Sequence, residues 1–528
     1  MASRFLSTHR ISITPLSPIH IGCGDTYEPT NYVIDRQRGF LYGFDPSDAV
    51  LSPGEMTALR AAVRSVDTKK INLYYESHID VFRPWARVVV PLGAKAEKRY
   101  QKMMHPVGNE KNTQFEVNRT IWSSRGGRVL PYIPGSSLKG VIVTALENRL
   151  NQRNYVDTKR RQQPSKLLGG EFECSPMRLL RVGDCHADDA KTRAFFTARY
   201  FKEDHSRDSI EDTFEAIVPA QYRAFNGEIS LMPGQNPGNI FNVYEKAEDV
   251  LKDLHAYTFE RWFAEQGQYA LYSPDWTRQI ALLLKAMAPL LVSGRAALVR
   301  LGKNTGAESK TLHGLNQPEI EIRRKKRDPK TGRYMKETLD HSTTAWYTDE
   351  AESAFNGLPY GWAIVELDPE ADCSALETWC EDTHAQWINA HKGGSVNDEW
   401  DRVLTERQAK VAVREAMLAE ARELEARREA EEAELVAKAQ ALASMSPEQR
   451  EATELCDAIE AAVGTINPGT ELFNRVKALL EKAVEWTDPQ VKMDFAVRLQ
   501  PLMKKKNLFQ GKAEKLFKKQ LRTLRGEA

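Results

Sequence analysis

The character of the chain changes near residue 400, and this change constrains the fold more than any other sequence feature. Upstream, short β-forming runs alternate with helical patterns, and no dinucleotide-binding fingerprint accompanies them. That alternation is typical of α+β proteins built from ferredoxin-like units. Downstream, residues 404–442 lack Gly and Pro and are rich in Ala, Glu and Arg, a composition that predicts one long helix.

The upstream part contains two sets of predicted elements. The first set comprises strands at 11–21, 87–91 and 128–133, a hairpin at 31–44, and helices at 53–66 and 138–150. The second set runs from Met177 to Asp368, with a helix at 276–291 before a glycine-rich loop and a closing strand at 361–367. No exact internal repeat links the two sets, so the sequence alone does not establish a duplicated fold.

The downstream part predicts a small helical bundle after the long helix. Ser446 is suited to cap a helix, because Pro447 and Gln449 follow at the positions that helix starts prefer. Helices are expected at 447–463, 469–486, 488–503 and 511–525. Together these patterns predict four domains, at 1–170, 171–400, 401–445 and 446–528.

Residues 131–150 combine a strand, a turn and the start of an amphipathic helix. A Pro-Gly pair turns the chain, and Ser136 or Ser137 can cap the helix that follows. The free N–H groups of a helix start attract anions, and Lys139 adds a positive charge there. Gly140 lets another backbone come close. The segment therefore predicts a phosphate site, and an ordinary capped turn is the alternative.

Residues 131–140 resemble the signature sequence of the RAMP superfamily, the repeat-associated RNA-binding subunits of CRISPR effector complexes. Four further stretches agree with that family in the expected order: Thr14–Gly24 with its HIGxG turn, Met177–Asp184, Glu215–Pro219 and Leu298–Thr311. The resemblance spans residues 11–311 and is greatest to the type III-A (Csm) subunit that caps the 3′ side of the guide RNA.

The resemblance implies an α+β fold of ferredoxin-like (RRM-like) RAMP domains, followed here by the long helix and the C-terminal helical bundle. It implies a crRNA-binding subunit that ends the backbone filament, with help in guide maturation as a further role. The expected partners are crRNA, neighbouring backbone RAMP subunits, small helical subunits and, indirectly, target RNA. No cofactor is expected, and a RAMP subunit of a type III-B complex is an alternative.

Two glycine-rich turns supply further candidate RNA contacts. The candidates are Gly22 and Gly24 in the first turn, and Arg300, Gly302, Lys303, Gly306 and Lys310 in the later loop. A P-loop would need Lys directly after its second Gly, and three residues intervene here, so an ATPase is disfavoured. We expect a flexible loop whose glycines let RNA backbone approach while basic side chains neutralise phosphate. A plain hairpin turn is the alternative.

Three basic clusters could also meet phosphate. They are residues 159–161, residues 323–336 with Arg323 and Arg324 as the first candidates, and residues 504–525. The second cluster is favoured because it follows the glycine-rich loop directly and is mixed with aromatic residues, as in single-strand binders. A solvated charged face is the alternative for each cluster.

The sequence supports a catalytic function less well than it supports RNA binding. His20 lies between two isoleucines, where a packing role is more common than a catalytic one. A Cys/His group at 373–384 matches no common zinc spacing, which favours scattered side chains over a metal site. Asp25 and Asp35 flank the first hairpin and keep a metal-dependent RAMP ribonuclease as the minor alternative. We therefore expect a binding protein with no catalytic residues rather than an enzyme.

Composition restricts the remaining classes. The chain has 74 basic and 73 acidic side chains, so an RNA surface must be a local patch rather than a global field. The six cysteines include no CxxC pair, which favours a reducing cytoplasm. No apolar run approaches the length that a bilayer needs, so we expect no membrane association. A protein-interaction scaffold built around the long helix is a further alternative.

Overall fold

The computed structural model describes most of the chain, which falls into two units. The described residues are 6–105, 114–125, 128–153, 167–168, 172–232, 243–312, 320–327, 329–349, 357–369, 373–389, 394–511 and 513–527. Unit 1 is Met1–Lys410 and unit 2 is Val411–Ala528. Each unit has hydrophobic cores of its own.

Unit 1 contains all of the described strands and the first residues of ten described α-helices. The strands are β1 (Ser7–Pro15), β2 (Gly22–Tyr27), β3 (Tyr32–Asp35), β4 (Phe40–Phe44), β5 (Ala86–Pro91), β6 (Val117–Thr120), β7 (Trp122–Arg125), β8 (Arg128–Ile133), β9 (Leu180–Val182), β10 (Cys185–His186), β11 (Thr192–Phe201), β12 (Arg207–Ile217), β13 (Phe225–Leu231), β14 (Ala296–Arg300), β15 (Ile320–Arg327), β16 (Tyr334–Leu339), β17 (Thr344–Thr348) and β18 (Trp362–Leu367). The helices are α1 (Pro53–Arg64), α2 (Thr68–Ser77), α3 (Ile79–Phe82), α4 (Ala94–Met104), α5 (Gly135–Arg153), α6 (Ala247–Tyr272), α7 (Pro274–Ala286), α8 (Ala288–Ser293), α9 (Ser374–Asn389) and α10 (Val396–Ser444), which continues into unit 2.

The largest sheet has eight strands and a core on each face. Its order is β14-β18-β1-β13-β10-β8-β7, and β9 pairs with β13. On one face, Ile13 and Val365 share a core with residues of α5 and α6 such as Ile142. On the other face, Trp362 shares a core with Trp276 of α7. Two helices against an antiparallel sheet fit the ferredoxin-like expectation, and the predicted α+β class is confirmed.

Strands from both sides of residue 170 belong to this one sheet. β1 pairs with β13 and with β18, and β8 pairs with β10. The first two predicted domains therefore share a sheet and a core, and their division at residue 170 stays a prediction about folding units.

Three smaller sheets complete unit 1. A five-stranded sheet has the order β17-β11-β12-β6-β2, with a parallel pairing only between β12 and β6. A three-stranded sheet has the order β3-β4-β5, which includes the predicted hairpin at 31–44. β15 and β16 pair only with each other among the described strands. None of the described helices is apolar over a length that would cross a bilayer.

The first turns of α10 are anchored in unit 1. Trp400 and Val403 are buried in a core with the three-stranded sheet. The buried carboxylate of Glu399 accepts hydrogen bonds from Arg38 at 2.8 Å and from Tyr42 at 2.7 Å. Further along, every side chain from 412 to 441 is exposed. The predicted long helix is confirmed, and its tertiary contacts extend its start to Val396.

Unit 2 contains the predicted bundle. Its helices are α11 (Pro447–Ala461), α12 (Glu471–Ala483), α13 (Pro489–Lys505) and α14 (Ala513–Leu524). Ser446 caps α11, and Gln449 completes the capping box. Leu455, Val476 and Phe517 are among the residues of its core. The predicted C-terminal helical bundle is confirmed.

One predicted helix is divided in the structure. The expected helix at 276–291 is α7 followed by α8, with Met287 between them. Pro289, two residues after Met287, has no N–H for the hydrogen bond that would continue α7. Gly294, with a φ of +79°, then ends α8 before β14 begins.

Candidate nucleic-acid interface

The signature turn sets the start of α5. Pro134 fixes the backbone ahead of the helix, and its carbonyl accepts the N–H of Ser137 at 2.9 Å. The helix therefore begins at Gly135. Ser136 and Ser137 lie inside the first turn and do not cap the helix, which corrects the prediction made from their sequence position.

A carboxylate of the chain itself occupies this helix start. Asp184 Oδ1 accepts the N–H of Gly135 at 2.7 Å. The helix dipole and the free N–H groups of the first turn stabilise such a negative group. An internal carboxylate thus lies where the sequence predicted an RNA phosphate. Ser136 is exposed and Ser137 is half-buried, so Ser136 is the more accessible of the pair.

The two glycines of the signature have different surroundings. A Cβ on Gly135 would lie 2.2 Å from the carbonyl oxygen of Val182, so this close packing requires glycine. Gly140 is exposed, and no described atom lies within 4 Å of the position its Cβ would take. Gly135 is needed by the protein itself, whereas the space beside Gly140 is open, as the prediction of a close approach by another backbone requires.

Lys139 contacts the protein backbone. Its Nζ donates to the carbonyl oxygens of Met177 and Leu180, each at 2.8 Å. Partial burial lowers the pKa of Lys139. The ammonium group therefore connects α5 to the segment that enters β9, and the structure does not support it as a free phosphate contact.

The first glycine turn surrounds His20, which is buried. Its Nδ1 donates to the carbonyl oxygen of Glu215 at 2.7 Å, and its ring meets the edge of Phe214 at a centroid distance of 5.0 Å. Burial lowers the pKa of His20 to about 4; the hydrogen bond opposes this shift and the charge of Lys303 adds to it. His20 is therefore neutral at pH 7. Gly22 and Gly24, which follow it, are both exposed.

The glycine-rich loop docks directly on this first turn. The backbone N–H of Lys303 donates to the carbonyl oxygen of His20 at 2.8 Å. Gly302 has a φ of +88°, and a Cβ there would lie 2.3 Å from the same oxygen. The structure thus brings together two turns that are about 280 residues apart in sequence, counted from Gly22 to Gly302. Both were predicted RNA contacts.

Arg300 lies inside the protein at the end of β14. Only 7% of its surface is exposed. Its Nη1 donates to Glu265 Oε2 at 2.7 Å, and its Nε donates to the carbonyl oxygen of Tyr360 at 3.2 Å. The guanidinium also lies 4.9 Å from the ring centroid of Trp362. The structure does not support the predicted phosphate contact, because these groups already use the guanidinium.

Glu308 holds the far side of the loop and was not predicted. Its Oε1 accepts hydrogen bonds from Lys202 Nζ at 2.6 Å and from the N–H of Ser342 at 2.7 Å. Burial raises the pKa of Glu308, but the charge of Lys202 and these hydrogen bonds outweigh burial and lower it to about 2. Gly306, with a φ of +78°, precedes this anchor, and Lys310 after it is exposed. A loop predicted to be flexible is thus fastened at both ends.

The outer side of this region combines a cation with aromatic rings. Lys303 is exposed, and its Nζ lies 5.0 Å from the ring centroid of Phe214. Trp346 meets Phe214 at a centroid distance of 6.3 Å, and the guanidinium of Arg199 lies 5.8 Å from the Trp346 ring. The strand register places Asn118 beside Phe214 on the same face. We call these five residues the loop-side face of the five-stranded sheet.

The loop-side face has the chemistry of a single-strand binding surface. Lysine can neutralise a phosphate, and a partly exposed tryptophan can stack on a base without sequence preference. A sequence model of the RAMP superfamily matches residues 12–336, more than half of the chain. The chain belongs to the RAMP superfamily. The matched region includes both glycine turns, the signature turn and four of the five residues of the loop-side face; Trp346 lies beyond its end.

Two of the solved structures that are similar to this RAMP chain have low sequence identity to it. One is a cryo-EM structure of a Csm–crRNA–target RNA ternary complex of a type III-A CRISPR-Cas system, with 15% identity and a TM-score of 0.38 over 68% of this chain and 100% of that chain. The other is a crystal structure of T. onnurineus Csm5, with 14% identity and a TM-score of 0.27 over 56% of this chain and 89% of that chain. A comparison with curated protein sequences finds no match.

The basic cluster after the loop forms the β15–β16 hairpin of this RAMP protein. Arg323 pairs with Lys336 across the ladder, and both side chains are exposed. Arg327 lies 4.9 Å from the ring centroid of Tyr334. The backbone of Arg324 lies in β15. The hairpin displays the predicted mixture of charge and aromatic residues, and the cluster at 159–161 lies outside the described residues.

The residues of the ribonuclease alternative have separate partners. Asp25 is exposed and lies 3.8 Å from Arg119. Asp35 accepts the backbone N–H of Gln37 at 3.0 Å and so stabilises the turn after β3. Within the described ranges, no three His, Cys, Asp or Glu side chains come together as a metal-binding group, and this includes the described part of 373–384.

Sequence reasoning missed most of the residues that build the loop-side face. In the sequence, Trp346 is one of the aromatic residues that follow the second basic cluster, and nothing there singles out Arg199. Both lie in strands, where alternate residues share a face, so the pattern of β11 could have placed Arg199 with Phe195. No local pattern indicates that β17 pairs with β11, and this pairing brings Trp346 to Arg199.

Proposed function

We propose that this RAMP chain is a crRNA-binding subunit of a type III-A CRISPR (Csm) effector complex, which caps the 3′ side of the guide and ends the backbone filament. Membership of the RAMP superfamily supports RNA binding. The motif resemblance across residues 11–311 supports the capping subunit. Its other partners would be neighbouring RAMP subunits, small helical subunits and, indirectly, target RNA.

The observation that carries the proposal is the exposed Lys303, held above the Phe214 ring by the docking of two glycine turns. Because the loop is fastened through Gly302 and Glu308, the lysine is presented from a fixed backbone. A fixed cation loses less conformational freedom when it binds phosphate. Trp346 lies on the same face and offers a ring on which a base can stack.

Guide recognition would depend on the RNA backbone. A guide varies in sequence, so its holder gains most from phosphate and 2′-hydroxyl groups, which every guide shares. Lys303, Lys310 and Arg323 are the cations available for phosphate, and the exposed turn at Gly22 and Gly24 lets the RNA backbone approach. Arg300 and Lys139 then act as positioning residues inside the protein.

The test measures the binding of two guide-length RNAs of unrelated sequence by fluorescence anisotropy at several salt concentrations. Lys303→Gln should weaken both RNAs equally and lower the log–log salt slope by about 0.7, the single-strand value for one phosphate. Lys285→Gln is the matched control, because Lys285 is an exposed lysine of α7 in the same unit. An unchanged slope for Lys303→Gln, or a loss for only one RNA, would contradict the proposal.

The same samples separate the proposal from its alternatives. Guide-length RNA incubated with the protein and Mg²⁺ or Mn²⁺ should stay intact; cleavage that disappears in Asp25→Asn or Asp35→Asn would favour the ribonuclease. Co-purification with type III-A subunits rather than type III-B subunits separates the two complexes. Loss of RNA binding on deleting the residues before 400, but not on deleting those after 400, would argue against the scaffold.

A further inference from the structure

Unit 2 separates its charges along the chain. Residues 446–499 contain six basic and ten acidic side chains, whereas residues 500–528 contain nine basic and two acidic ones. The net charge of the whole protein is only +1. The C-terminal segment is therefore a local concentration of positive charge on a nearly neutral chain, and local potential rather than net charge attracts a polyanion.

The basic residues of helix α14 lie on one face of the helix. Phe517, Leu521 and Leu524 are buried in the bundle core. The basic residues occur at helical spacing on the opposite face: Lys515, Lys518, Lys519 and Arg522. The core contacts of α14 thus hold its cations outward.

These cations line an open groove of about 830 Å³ in unit 2. Its lining includes five basic residues and one acidic residue: Lys515, Lys518, Lys519, Arg522, Arg525 and Glu527. Lys518 forms an ion pair with Glu514 at 2.7 Å. Lys515, Lys519 and Arg522 form no ion pair with any described side chain. The Nε of Arg525 is withdrawn from solvent and has no hydrogen-bond partner in the described part of the chain.

The chemistry of this groove, which we call the basic groove, favours a polyanion with spaced charges. A lipid surface would need an apolar helix face to insert, and the apolar face of α14 is already used in the bundle core. A flexible phosphate chain can instead follow a row of lysine and arginine side chains one turn apart. We propose that the basic groove binds the phosphate backbone of single-stranded RNA. This contact lies in unit 2 and goes beyond the guide-binding face proposed for unit 1.

The experiment uses the full chain and an unstructured RNA of 40 nucleotides. The double variant Lys519→Gln/Arg522→Gln removes two unpaired cations of the basic groove. The matched control Arg475→Gln/Lys477→Gln removes one arginine and one lysine that are exposed on α12. The basic-groove variant should lower the log–log salt slope by about 1.4, because each single-strand phosphate contact contributes about 0.7. The control should keep the parental slope.

Three further arms make the result decisive. Lys519→Arg/Arg522→Lys keeps both charges and should keep the slope, which excludes damage to the fold as the cause of any loss. Combining the basic-groove variant with Lys303→Gln should multiply the two losses, since separate contacts act independently. If Lys303→Gln alone has no effect, the function proposed for unit 1 fails and the basic groove is still tested.

Several outcomes would overturn the proposal. One is a parental salt slope for Lys519→Gln/Arg522→Gln; another is an equal loss in the α12 control, which would mean that any removed charge has the same effect. A third is sedimentation with phosphatidylserine vesicles that disappears in the basic-groove variant while RNA binding is unchanged. That last result would identify a lipid surface as the partner.

Discussion

The signature turn and the glycine-rich loop contain the same kinds of residue and use them differently. Each has a tightly packed glycine and a lysine beside it. In the signature turn, Lys139 bonds to two carbonyl groups and Asp184 occupies the helix start. In the loop, Arg300 and Glu308 are bonded internally, while Lys303 is exposed above an aromatic ring.

The difference shows that the residues of one sequence motif have separate structural and ligand-binding roles. Most of the polar and glycine residues that make these motifs recognisable hold backbones together, and few of them are available to a ligand. A motif lysine is therefore a candidate RNA contact only when its ammonium has no internal acceptor. Four predictions test this distinction, beginning with the largest expected effect.

Arg300→Met should lower the free energy of unfolding by about 4 kcal/mol, because it leaves the buried carboxylate of Glu265 without its cationic partner. Urea denaturation followed by circular dichroism measures this. The double variant Arg300→Met/Glu265→Met should recover part of the loss, since no charge is then buried alone. A stable Arg300→Met with a lower RNA salt slope would show instead that Arg300 reaches RNA.

Gly302→Ala should lower the free energy of unfolding by about 3 kcal/mol, from a strained positive φ and a Cβ 2.3 Å from a carbonyl oxygen. Valine can add little to a clash that alanine already makes. Gly140→Ala is the control: it lies in an open helical position, and alanine should stabilise it by about 0.5 to 1 kcal/mol. If Gly140→Ala weakens RNA binding without loss of stability, RNA backbone does approach the signature helix.

Acid should weaken the docking of the two glycine turns through His20. Its folded-state pKa of about 4 lies below the ordinary value of 6.5, so the unfolded chain binds the proton more readily. This stabilisation is complete above pH 6.5 and is lost as the pH falls towards 4. The loss amounts to about 2 kcal/mol at pH 4.5. Free energies of unfolding at pH 7 and 4.5 should differ by that much more in the wild type than in His20→Gln. Equal pH dependence would contradict a buried neutral imidazole.

The two lysines should separate stability from binding. Lys139→Ala should lower the free energy of unfolding by about 1.5 kcal/mol, through the loss of two hydrogen bonds from a charged donor, and leave the RNA salt slope unchanged. Lys303→Ala should change stability by less than about 0.5 kcal/mol and lower the slope by about 0.7. The reverse pattern would exchange the roles assigned to the two motifs.

Local signals predicted the parts of the fold that short segments determine. The capping box at Ser446, the β3–β4 hairpin and the long helix each depend on residues a few positions apart. The buried residues of α6, including Val250, Leu254 and Tyr257, have a helical spacing that would have predicted this helix too.

The sequence did not predict which charged side chains are available to a ligand, because this depends on the internal partner that each charged group has in the fold. Arg300 looks like an available cation until Glu265, 35 residues earlier, is placed beside it. In the same way, the start of the signature helix looks open to an anion until Asp184, 49 residues after Gly135, is placed beside it. Such pairings follow from the packing of whole elements and leave no periodic signal.

The unequal anchoring of α10 has a consequence for mutational tolerance along one continuous helix. Glu399 and Val403 are buried, and Arg407 donates to the carbonyl oxygen of Pro84 at 2.8 Å. From 412 to 441 every described side chain is exposed, so most substitutions other than Pro and Gly change little there. A deep mutational scan should therefore show a step near residue 410, and a chain shortened at 400 should lose stability that one shortened at 410 keeps.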